Sequence, residues 1–129
     1  MAKFKKENKE LLSYLLFESG DESTYVKEVK AELDDLFIEV KKGNSYLAKK
    51  TIRKILGMAN KYIKYSGSKQ TEVEILIHFC KKLRKSGIPL PINTALGNIY
   101  LRQITKIKKS LATLHEDLQF DYSDDLRLL

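Results

Sequence analysis

A chain of 129 residues with 43% hydrophobic and 32% charged residues, six glycines and two prolines has the size and composition of one folded domain with a single core, which excludes extended disorder. Its lone cysteine excludes an intrachain disulfide and a cysteine-built zinc site, and so points to a reducing, cytoplasmic setting. The net charge of +7 is unevenly placed: residues 1–40 carry 6 Lys/Arg against 10 Asp/Glu, residues 41–109 carry 17 against 2, and residues 110–129 carry 1 against 5. An acidic beginning and end thus bracket a basic middle.

The opening MAKFKKENKELLSYLLF places lysines ahead of an apolar run, as a targeting signal does. However, Glu7, Lys9 and Glu10 interrupt the approach, Ser13 interrupts the run, and no small-residue cleavage site follows. The segment is predicted instead as a first helix from about Lys6 to Glu18, with Leu11, Leu12, Leu15 and Leu16 on one edge. No stretch approaches the roughly 20 apolar residues that span a bilayer, so no membrane partner is expected.

A second helix follows a cap at Asp21 or Ser23 and carries Val26, Val29, Leu33, Leu36, Phe37 and Val40 on one side, beside the acids Glu28, Glu32, Asp35 and Glu39. Lys41 and Lys42 suit its negative end, and Gly43 is expected to terminate it in a left-handed conformation. The third helix, Ser45 to Ser66, is the most strongly amphipathic. Ala48, Ile52, Ile55, Leu56, Ala59, Tyr62 and Ile63 form one stripe, with Lys50, Arg53, Lys54, Lys61 and Lys64 opposite and Gly67 closing the helix.

Thr71 with Glu74 fits a capping box, which predicts a fourth helix from Thr71 to about Ser86. Val73, Leu76, Ile77, Cys80 and Leu83 mark its main face, widened by Ile75 and Phe79. A helix apolar over that much of its circumference should be the most buried. After Gly87 and the extended IPLPIN connection, a fifth helix is expected from Pro91 or Asn93 to about residue 118, on the spacing of Leu96, Ile99, Tyr100, Ile104, Ile107, Leu111, Leu114 and Leu118. Residues 119–129 then read as an acidic tail. The whole is a single all-α domain of about five antiparallel helices, in a compact bundle or a short layer of α-hairpins.

The lysine-rich helices ending in glycine, the segment YIKYSGSKQTEVEILIHFCKKLRK and the long closing helix together resemble a family of small all-helical bacterial proteins grouped as a domain of unknown function. The resemblance covers about residues 9 to 118. It implies a helical fold and carries no functional residue with it.

No Walker loop, GxGxxG or GxSxG occurs, and no His-x-x-x-His or Glu-x-x-His pairing surrounds His78 or His115, so no catalytic residue, cofactor or metal site is expected. Cys80 falls on the apolar face of its helix, where a thiol fills space and its pKa rises. Asp121, Asp124 and Asp125 lack the glycine turn and spaced glutamate of an EF-hand loop and read as solvated. Tyr62, Tyr65 and Tyr100 could offer stacking surfaces to a nucleic acid, although Tyr62 lies on the core stripe.

The remaining candidate is the basic face of the third helix: Lys50, Arg53, Lys54, Gly57, Lys61 and Lys64. Lysine-rich faces are commonly just solvated. Yet Gly57 costs about 1 kcal/mol relative to alanine in a helix interior and has no packing reason there, unless a partner backbone, a phosphate or a neighbouring helix comes close. The expectation is a non-enzymatic module contacting a protein partner through this face. The alternative is nonspecific nucleic-acid binding by the same residues.

Overall fold

Seven apolar side chains between Val73 and Leu83 decide the architecture. Val73, Ile75, Leu76, Ile77, Phe79, Cys80 and Leu83 are all buried, which one helix can satisfy only with neighbours on several sides. The computed structural model describes residues 22–40 and 43–129, and its helices are α1 (Glu22–Ile38), α2 (Ser45–Ser66), α3 (Lys69–Lys85), α4 (Ala95–Leu111) and α5 (Glu116–Arg127). Helix α3 packs against α1, α2 and α4, and α1 also packs against α2. The result is the expected all-α bundle, with α3 at its centre. No strand occurs among the described residues, and none of their helices is long and apolar enough to cross a membrane. The expected helix over residues 6–18 lies outside the described residues, as do Lys41 and Lys42.

Helix α2 has the predicted bounds, and both ends have a local cause. The Asn44 side chain accepts from the Leu47 amide at 3.1 Å, and Gly67 turns out of the helix with φ 61° while its N–H reaches the Ile63 carbonyl. Ala48, Ile52, Ile55, Ala59 and Tyr62 are buried as the stripe requires. Tyr62 also ties α2 to α1: the Tyr25 hydroxyl donates to the Tyr62 carbonyl at 2.7 Å, the Tyr62 hydroxyl donates to Glu32 at 2.5 Å, and the two rings meet edge to face. Burial raises the Tyr25 hydroxyl to about 12, so it stays a donor across the ordinary pH range.

Four boundaries differ from the sequence expectation: the end of α1, the start of α3, the start of α4, which is capped by Thr94 at Ala95 instead of beginning at Pro91 or Asn93, and a break after Leu111. Helix α1 stops at Ile38, and Gly43 is not left-handed; among the described residues the left-handed glycines are Gly67 and Gly87. Thr71 does not cap α3. It is buried, and its hydroxyl donates to Glu22 on α1, while Ser68 one turn earlier accepts from the Thr71 amide at 3.2 Å. Burial on the α1-facing side takes precedence over the local capping pattern.

The long fifth helix is two helices. Thr113 turns its hydroxyl onto the Ser110 carbonyl at 2.6 Å, Leu114 N–H bonds Leu111, and His115 Nδ1 accepts from the Asp117 amide at 3.1 Å to start α5. Glu116 and Asp117 then sit in the first turn of α5, where the helix dipole favours anions. The segment expected as an acidic tail is therefore mostly helix, and it folds back on α3. Tyr122 is buried and accepts from the Gln70 amide at 3.3 Å, while Asp125 pairs with Lys81 at 2.5 Å. Beyond it, the Leu129 main-chain oxygen accepts from Tyr100 at 2.7 Å and Arg84 at 2.9 Å.

Candidate partner-binding groove

At 3.6 residues per turn, Lys50, Arg53, Lys54, Gly57, Lys61 and Lys64 fall within an arc of about 100° centred on Gly57. Lys61 is half-buried and the other five are exposed. The fold divides this strip. Helices α2 and α4 both lie on α3 and leave between them a groove of about 500 Å³. Arg53, Leu56, Gly57 and Asn60 line it from α2, and Ala95, Asn98, Ile99 and Arg102 line it from α4. Of the expected contact residues, Arg53 and Gly57 are brought into the groove. Lys50, Lys54, Lys61 and Lys64 are not among its lining and remain on the rest of the helix face.

Composition makes this side of the molecule uniformly positive. Helix α2 carries six Lys/Arg and α4 carries four, and neither holds an aspartate or glutamate. Arg102, Lys106 and Lys109 recur at helical steps on α4, and Lys106 Nζ reaches the Asn60 side-chain oxygen at 3.5 Å, joining the two walls at one end. Among the described residues, neither Arg53 nor Arg102 has a carboxylate partner. Their forks, with the Asn60 and Asn98 amides nearby, match the geometry of phosphate or carboxylate oxygens. A β-carbon built at Gly57 meets nothing within 4 Å, so the glycine keeps that part of the groove open.

Reactive side chains lie elsewhere. Cys80 is enclosed in α3, where burial pushes its thiol up to about 12 and leaves it un-ionised. His78 stands on the α1 side, with Nε2 at 2.6 Å from an Asp34 oxygen that Lys82 also approaches at 3.4 Å. Burial holds the His78 ring below its ordinary pKa despite the Asp34 hydrogen bond, and Lys30 and Lys82 act in the same direction. Burial works to raise the Asp34 carboxyl, but His78 and Lys82 together hold it below its ordinary value. This cluster fastens α1 to α3. Among the described residues, no group of three or more His, Cys, Asp or Glu could hold a metal ion.

Two of the expected stacking residues are not available, because Tyr62 and Tyr100 are buried. The exposed ring on this side is Tyr46, 66% accessible in the first turn of α2. Sequence reasoning missed Tyr46, Asn60, Asn98 and Arg102. The signal for Arg102 was present in the acid-free composition of residues 95–111, but that α4 lies beside α2 is a tertiary fact. No family model, curated protein or solved structure matches the chain.

Proposed function

We propose that this protein is a non-enzymatic binding module that engages the phosphate backbone of a nucleic acid, without sequence preference, through the joined faces of α2 and α4. The observation that carries the reading is the pairing of Arg53 and Arg102 across a groove whose two parent helices hold ten basic residues and no acid. Protein interfaces are depleted in lysine at their centres and enriched in buried apolar anchors. Here the two helices carry eight lysines besides the groove arginines, and none of the exposed large apolar residues lines the groove. That composition favours phosphates over the protein partner the sequence alone suggests. The reading fits a cytoplasmic setting, since the lone cysteine is a buried free thiol.

Fluorescence anisotropy with labelled mixed-sequence RNA and DNA, at several salt concentrations, tests the proposal. Affinity should fall steeply as salt rises. Charge reversal of Arg53 and Arg102 together should abolish it. Binding retained by that double variant, or absence of nucleic-acid binding alongside salt-sensitive capture of an acidic protein, overturns the reading.

A further inference from the structure

The groove does not stop at Ala95. That residue also lines a second cavity, of about 380 Å³, between the first turn of α2 and the connection from α3 to α4. Its lining is mainly apolar, with Ala48, Ile88, Pro89, Pro91 and Leu96 as walls and Ser45, Lys49 and Thr94 as the few polar groups. Tyr46 stands at the edge. An apolar recess that shares Ala95 with an arginine-lined groove and has an exposed aromatic ring in its own lining suits a ligand that alternates charge with flat apolar rings.

The recess is also held in a fixed shape. Asn93 has φ 69°, the only positive value on a non-glycine residue among those described, and so turns the chain in the left-handed conformation between the lining residues Pro91 and Thr94. Thr94 Oγ1 donates to the Pro91 carbonyl at 2.7 Å and accepts from the Gly97 amide at 3.1 Å. The Pro91 carbonyl lies so close to Gly97 that no side chain fits at that position. Two prolines, a left-handed asparagine, a bridging threonine and an obligatory glycine thus specify the nine-residue stretch from Pro89 to Gly97. A plain helix-to-helix turn needs less.

We infer that the ligand is single-stranded, and that the recess receives one unstacked base against Tyr46 while neighbouring phosphates run along Arg53, Gly57 and Arg102. The inference rests on the phosphate-binding reading and goes beyond it, because a duplex keeps its bases stacked inside and has none to offer. Tyr46 to Asn60 spans about 21 Å of helix, a length along which several phosphates of one extended strand can run. Ring stacking supplies affinity without base identity, since every base has a π face.

The test compares three labelled ligands by anisotropy with the full chain: an oligothymidylate of about ten nucleotides, an abasic oligomer of equal length and a blunt duplex. Oligothymidylate should bind roughly tenfold more tightly than the abasic oligomer. Tyr46→Ala, at an exposed position, should erase that difference and leave abasic binding unchanged. Ser45→Trp, which blocks the recess from its rim, should do the same. Equal, salt-sensitive binding of abasic and base-containing oligomers overturns base capture while leaving the backbone reading standing. Tighter binding of the duplex, or a preference untouched by both variants, also overturns it. No binding of any ligand overturns both readings, as does tighter binding of an acidic peptide carrying one aromatic residue.

Discussion

The carbonyl of Pro91 occupies the space that a side chain at position 97 would need: a β-carbon there would overlap the Pro91 oxygen and stand 2.9 Å from its carbon. Both atoms are backbone, and both are fixed by Thr94, so neither can yield cheaply. Gly97→Ala is therefore expected to destabilise the fold by about 1–3 kcal/mol or more, the usual cost of overpacking, despite the better helix propensity of alanine. Urea unfolding followed by circular dichroism measures this. A midpoint equal to or above that of the parent chain would mean that the connection is looser than the contact implies.

The centre of the bundle makes a second expectation. Leu76 is fully buried on α3, between helices that approach from three sides, so the site cannot collapse around a missing side chain. Leu76→Ala should cost about 2–5 kcal/mol. Cys80 on the same helix gives an independent reading of the same packing. With its thiol enclosed and un-ionised, it should react with a thiol reagent only as fast as the protein opens, and stoichiometric labelling of the native protein within seconds would contradict its placement.

Acid sensitivity should centre on His78. Its folded pKa lies below the ordinary value, first because the ring is buried and then because Lys30 and Lys82 oppose a further positive charge. A depressed histidine pKa means that the unfolded chain binds more protons in this range. The contribution is therefore present above about pH 6.5 and is lost as pH falls through the folded value. Asp34, held below its own ordinary pKa, keeps its contribution until more acidic conditions. His78→Gln can still hydrogen-bond Asp34 but cannot titrate, so its stability should decline less between pH 7 and pH 5. Parallel curves for the two proteins would place the acid-sensitive group elsewhere.

The fold was legible wherever burial and spacing agreed. In α2 the apolar stripe, the asparagine before it and the glycine after it all point to one answer, and the observed bounds match. The break between α4 and α5 was not legible, because Leu111, Leu114 and Leu118 keep helical spacing straight through it and all contact the core. Thr113 and His115 decide the matter through side-chain hydrogen bonds that periodicity cannot register. The candidate site was half legible for a related reason. Arg53 and Gly57 share a helix and could be grouped by angle, whereas Arg102 joins them only because α3 holds α2 and α4 side by side.

Gly57 separates stability from binding most directly. Its position is exposed, a β-carbon there meets nothing within 4 Å, and the surrounding helix is regular. Gly57→Ala should therefore stabilise the free protein by about 1 kcal/mol through helix propensity. The added methyl projects into the groove between Arg53 and Arg102, so the same substitution should weaken association with single-stranded nucleic acid. Opposite signs in the two measurements mark a functional glycine, whereas a merely tolerated one would gain stability and bind unchanged. The salt dependence of binding supplies the companion measurement. Each phosphate contact on a single strand contributes about 0.7 to the slope of log affinity against log salt, so Arg53→Gln and Arg102→Gln should each flatten that slope by roughly this amount. Lys27→Gln, on the exposed side of α1 and outside the groove, should leave it unchanged. If all three slopes coincide with that of the parent chain, the groove does not hold the phosphates, and the outer lysines Lys50, Lys54 and Lys64 become the surface to substitute.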